Sequence, residues 1–171
     1  MPKYSRSEYL AKLKKAKAAA DDLTKKQLDK IIGHESKKRL LAYEHADWFR
    51  ARMSFKEMGV WRRAGGLPES WTRGSLKETA RKVKIGLAKN SPLICARSKR
   101  ALPRIMEFAD IISREKTLYP IVFLGDTGTR GRRRGCIKTK GDIDDGCMRA
   151  IALVLRGAKN LNVYFGVPNK N

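Results

Sequence analysis

Acidic residues are scarce in this sequence. Against 39 Lys and Arg there are only 17 Asp and Glu in 171 residues, which leaves a net charge of +22. A compact chain with that imbalance repels itself and calls for a polyanionic partner or a strongly anionic surface. Long apolar runs are also missing. No stretch approaches the roughly 20 apolar residues needed to cross a bilayer, and the first residues, Met1 to Arg6, lack the apolar centre of a secretory signal. The expectation is a cytoplasmic protein with no membrane partner, or one found in host cytoplasm or a virion if the source is viral. Cysteine is limited to Cys95, Cys136 and Cys147, an odd number without Cys-x-x-Cys spacing. That pattern fits reduced thiols rather than disulfides or a zinc finger. Histidine is limited to His34 and His45, about 16 Å apart along a straight helix. They cannot share a metal there, and Cys136 and Cys147 are far from both along the chain.

What is present supports a folded core. Hydrophobic residues make up 42% of the chain, enough to exclude wholesale disorder and to fit one domain or a domain with a helical appendage. The excess of Lys and Arg makes nucleic acid, DNA or RNA, the default partner, because phosphate neutralisation with counterion release gives affinity independent of sequence. Self-association into a homo-oligomer is left open.

Two unlike parts are expected, in an α+β arrangement. Residues 1–116 read as a helical, basic region packed on a small α/β unit formed by residues 117–171. Ser5 and Glu8 have capping-box spacing, Leu13, Ala16, Ala20 and Leu23 form a narrow apolar stripe, and Gly33 is a natural stop. This helix is either a packing element with a solvated lysine face or a basic arm laid along phosphates. A second helix is expected from about Ser36 to Met58, with Leu41, Trp48, Phe49, Arg52 and Met53 near one face. Trp61 and Trp71 bracket a glycine- and arginine-rich loop, either as core anchors or as stacking platforms for unpaired bases. Ser75 and Glu78 again have capping spacing, and a further helix is expected to begin near Pro103. Arg97, Lys99, Arg100 and Arg104 cluster around that start and are candidate phosphate contacts.

In the C-terminal part, residues 118–124 and 161–165 read as strands, and residues 143–155 as a helix that stops at Gly157. Between the first strand and the helix lies an abrupt change of sign. Arg130, Arg132, Arg133, Arg134, Lys138 and Lys140 include no acidic neighbour, and Asp142, Asp144 and Asp145 follow at once. The basic run suits a phosphate backbone. The aspartates have two readings: caps and first-turn partners of the helix dipole, or ligands of Mg²⁺, with Asp126 as a third carboxylate if the sheet brings it near.

The segment Lys140-Gly-Asp-Ile-Asp-Asp-Gly-Cys-Met-Arg149, after a strand and a basic loop, resembles the Asp-x-Asp-Asn helix start of RusA-type Holliday-junction resolvases. That resemblance implies a phage-associated dimeric endonuclease that cuts branched DNA, with Asp142 and Asp144 as catalytic Mg²⁺ ligands. Here Asp145 stands at the family's asparagine and Met148 at its lysine. Three functions are therefore set out: a phosphate-gripping binder, a Mg²⁺-dependent nuclease, and a structural component of a nucleoprotein or virion.

Overall fold

The computed structural model describes residues 37–130 and 136–169. The helix expected from Ser5, His34, and Arg132, Arg133 and Arg134 lie outside the described residues. Among those described, the architecture is mixed α/β, with a five-stranded sheet. In chain order the elements are α1 (Lys37–Glu44), β1 (Ala46–Ser54), β2 (Met58–Val60), a 3-10 turn (Ala64–Gly66), α2 (Glu69–Thr72) and α3 (Leu76–Ala88). They continue with α4 (Ala96–Glu107), α5 (Ala109–Arg114), a second 3-10 turn (Lys116–Leu118), β3 (Ile121–Leu124), β4 (Gly141–Asp145), α6 (Cys147–Leu155) and β5 (Asn160–Pro168). No helix among the described residues is long and apolar enough to cross a membrane.

The sheet runs in the order β1-β5-β3-β4-β2. β1 is antiparallel to β5 along its full length, β5 is parallel to β3, β3 antiparallel to β4, and β4 parallel to β2. Strands from both sides of residue 116 thus share one sheet. The helix expected over residues 36–58 is corrected accordingly: it ends at Glu44, and β1 follows. Its residues alternate with period two. Phe49, Ala51 and Met53 enter the main core, and Ala46 and Trp48 join a cluster on the opposite face. That alternation, satisfied by pairing with β5, overrides the helical spacing of the same side chains.

One face of the sheet carries the main core. There α3, α4 and α5 gather around α6, whose Ala150, Ile151 and Leu153 are buried. α3 begins with the expected capping box: Ser75 Oγ accepts from the Glu78 N–H, and the Glu78 carboxylate accepts from the Ser75 N–H at 2.7 Å. α4 begins seven residues before the expected Pro103, which sits inside it. Proline there removes only the bond to the Lys99 carbonyl, and the buried Ser98 and Leu102 before it and the half-buried Ile105 and Met106 after it hold the helix. Trp61 and Trp71 both pack half-buried against this core.

The other face is smaller and aromatic. Tyr43 of α1 stacks on Phe123 with centroids 5.4 Å apart, and Trp48 meets Tyr43 and Phe123 edge-on at 5.5 and 5.2 Å. The Trp48 indole N–H donates to the Tyr43 carbonyl at 2.7 Å, which fixes the end of α1 to β1. These contacts seat α1 on the sheet.

Candidate nucleic-acid interface

α4 presents a cationic stripe because of where its arginines fall. At about 100° per residue, Arg97, Arg100 and Arg104 share about 60° of arc. All three are exposed, and the helix contains no carboxylate before Glu107. Lys99, the fourth candidate in this segment, points elsewhere. Its ammonium donates to the Asn90 side-chain oxygen at 2.8 Å.

Beside the stripe lies a cleft of about 570 Å³, walled by α4, the Ala64–Gly66 turn and the start of α6. Arg97, Arg130 and Arg149 line it together with Trp61. The turn forms one wall with almost no side chain. Gly65 has φ 61°, and a Cβ there would overlap the Met148 sulfur of α6. The Ser98 hydroxyl donates to the Gly65 carbonyl at 2.6 Å and locks turn to helix. α6 opens into the cleft after Gly146, which has φ 87°, and no side chain caps its first turn. Its free N–H groups and dipole therefore add positive potential without adding a charged residue.

Each cleft arginine is held differently. The Arg130 guanidinium lies 4.8 Å from the Trp61 ring centroid, and its Nε donates to the Asp144 carbonyl at 3.2 Å. Arg149 is shared between the Asp145 carboxylate and the Leu118 carbonyl, both at 3.0 Å. Arg97 reaches the cleft from the exposed stripe. Of the ten expected phosphate contacts, Arg97 and Arg130 line the cleft, and Arg100 and Arg104 continue along α4. Lys138 and Lys140 belong to a different region, because the chain from Cys136 to Lys140 runs beside residues 57 and 72–73. There Lys140 forms an ion pair with Glu57.

The aspartates are neither where a helix cap would put them nor equivalent to one another. Asp142 and Asp144 lie in β4, and α6 starts only at Cys147 with no acidic residue in its first turn. The expected helix start over residues 142–145 is corrected: Ile143 turns into the core between them, as strand alternation requires. Asp144 is 2% exposed. Its Oδ1 accepts from the N–H groups of Thr129 (2.7 Å) and Arg130 (3.2 Å). Its Oδ2 accepts from the Tyr43 hydroxyl (2.5 Å), the Thr129 hydroxyl (2.6 Å) and Arg39 (3.3 Å). Burial, reinforced by the neighbouring carboxylate, pushes the Tyr43 hydroxyl well above its ordinary pKa and keeps it a donor.

This arrangement does not suit Mg²⁺. The ion wants carboxylate oxygens with open coordination positions in near-octahedral geometry. Both Asp144 oxygens are already committed to five donors, and Asp142 accepts from the Thr139 hydroxyl at 2.7 Å. Asp126, Asp142 and Asp144 do line one small recess with Trp61 and Arg130, but its volume is about 10 Å³. That is barely room for one water. Among the described residues no three His, Cys, Asp or Glu side chains are placed to hold a metal.

Sequence reasoning missed Arg39, Tyr43 and Thr129. Two of them come from a segment about a hundred residues before Asp144, and no local spacing points to the contact. Arg149 was detectable, because it stands four residues after Asp145, a helical ion-pair spacing. Comparison of the chain with protein-family models, curated proteins and solved structures gives no match.

Proposed function

We propose that this protein binds nucleic acid through its phosphate backbone, with the α4 stripe and the adjoining cleft as the centre of contact. The observation that carries this reading is convergence. Arg97, Arg100 and Arg104 line one side of α4, and Arg97 joins Arg130 and Arg149 around a cleft large enough for a nucleotide. Phosphates along the stripe would displace condensed counterions. At the cleft, the Trp61–Arg130 pair offers a planar cation over which a base can stack.

The test has to separate a shaped site from the general attraction of a +22 chain for polyanions. Binding is measured by fluorescence anisotropy on single-stranded, duplex and branched DNA and on RNA, across a salt series. Replacing Arg97, Arg100 and Arg104 by Gln should flatten the plot of log affinity against log salt by about 2 to 3 units on duplex DNA. The control removes the same charge from α3, by changing Lys77, Arg81 and Lys84 to Gln. Equal losses in the two triple variants would refute the proposed centre, and an affinity indifferent to salt would refute phosphate binding altogether. The same substrates incubated with Mg²⁺ or Mn²⁺ test the nuclease alternative. Cleavage that is lost in Asp142→Asn while binding persists would establish it.

A further inference from the structure

We infer that Asp144 is a positioning residue that ties α1 and the chain at residues 129–130 to one point on the sheet, and so holds Arg130 at the proposed nucleic-acid cleft. The inference rests on the nucleic-acid reading for its consequence, but not for its geometry. On one side of Asp144 stand Arg39 and Tyr43 of α1. On the other side stand Thr129 and Arg130.

A buried carboxylate is a poor choice if stability alone is wanted. Its desolvation is offset only when every lone pair is met, and an apolar side chain of similar size often serves a fold as well or better. What the carboxylate supplies is direction. Two consecutive N–H groups converge on Oδ1 and set the path of the chain at residues 129–130. With that path set, the Arg130 guanidinium reaches both the Asp144 carbonyl and the Trp61 ring at the cleft. Arg39 bonds to the carboxylate, to the Asp144 carbonyl at 3.2 Å and to the Thr129 hydroxyl at 3.3 Å. α1 and the base of the arginine run are thus linked directly as well as through Asp144.

Asp144→Asn keeps the shape while replacing an acceptor by a donor that faces other donors. In protein verified as folded by circular dichroism, we expect affinity for a duplex oligonucleotide to fall about tenfold and the salt slope to drop by about one unit, the loss of one phosphate contact. Arg130→Gln should produce the same slope change, and the double variant should lose no more than either alone, because both remove one placed guanidinium. Limited trypsinolysis gives a readout that needs no nucleic acid: cleavage after Arg130 should be faster in Asp144→Asn than in wild type. If Asp144→Asn does not fold, Thr129→Val carries the test. It removes one hydroxyl donor but leaves both N–H bonds, with the same directions expected at smaller size. A folded variant with wild-type slope and unchanged cleavage after Arg130 would overturn the positioning role and leave nucleic-acid binding intact. Faster cleavage in Asp144→Asn, together with a wild-type protein that binds no nucleic acid, would instead uphold the tether and overturn its function.

Discussion

Replacing Tyr43 with phenylalanine removes one oxygen and leaves the ring. The stacked contact with Phe123 and the edge contact with Trp48 survive, so no cavity term enters. What is lost is a 2.5 Å hydrogen bond to a buried carboxylate and the acceptor for Arg39, whose Nη2 lies 3.0 Å away. A bond to a charged partner contributes about 1.5–3 kcal/mol. Four donors remain on Asp144, which argues for the middle of that range, about 2 kcal/mol. For a domain of this size that corresponds to a Tm lower by about 5–8 °C, measurable by far-ultraviolet circular dichroism at neutral pH. The pH dependence adds a second signature. Folding holds the Tyr43 hydroxyl above its ordinary 10.0. Above that pH the unfolded phenol ionises while the folded one does not, so stability falls as pH rises. Tyr43→Phe should therefore show a shallower alkaline loss than wild type beyond pH 10. A Tm within about 1 °C of wild type, with an unchanged alkaline slope, would show that the hydroxyl does not hold Asp144 and would undercut the account of the knot.

Two further perturbations test the packing of the core. Gly86→Ala should destabilise by about 1–3 kcal/mol even though alanine favours a helix by about 1 kcal/mol, because its Cβ would stand 2.5 Å from the Trp71 ring and 2.9 Å from Ile94; urea unfolding that shows a gain would refute the close packing of α3 on Trp71. The thiols should separate in reactivity. Cys95 is exposed, with its pKa lowered chiefly by a hydrogen bond with Ser98, whereas burial pushes Cys147 up from its ordinary 9.0 to about 12. Iodoacetamide with mass mapping should label Cys95 first and spare Cys147 until the protein unfolds, and Cys147 should add to the loss of stability between about pH 9 and 12.

The elements that were legible in the sequence are those whose signals are local and unopposed. The Ser75–Glu78 box opens α3, Gly157 with φ 93° follows α6, and the run at residues 161–165 lies within β5, whereas the strand expected over residues 118–124 begins only at Ile121, after the turn at Lys116–Leu118. The failures occurred where one set of residues satisfies two periods. Leu41, Trp48, Phe49, Arg52 and Met53 fall on a helical face, yet from Ala46 onward the same residues also alternate. The choice was made by a partner strand more than a hundred residues away. Asp142-Ile143-Asp144 reads as a helix start because a helix does follow, although polar-apolar-polar alternation is equally a strand signature. The α4 arginines stand out in the sequence as a cluster but not as a stripe, because the helix expected from Pro103 begins at Ala96 and so places Arg97, Arg100 and Arg104 at positions i, i+3 and i+7. The ring of donors around Asp144 was not legible, since it is assembled from α1, β4 and the chain after β3, which only the fold brings together.

The scarcity of acid has a structural consequence. Several carboxylates among the described residues act as tethers: Asp144 holds Arg39, Asp145 holds Arg149, Glu57 holds Lys140, and Glu69 meets Arg62 and Arg73. The first three neutralise a cation where two segments of the chain meet and like charges would otherwise repel. α4 needs no such tether along its outer face and has none before Glu107, so its arginines keep their full field toward solvent. The change of sign between Lys140 and Asp142 follows the same logic. β4 enters the sheet there, sends Ile143 into the main core, and turns Asp144 to the opposite face, where its charge fixes the first residues of the basic run. The acid that follows the arginines in sequence thus sits beside the first of them, Arg130, in space, and holds that residue at a defined place on the sheet.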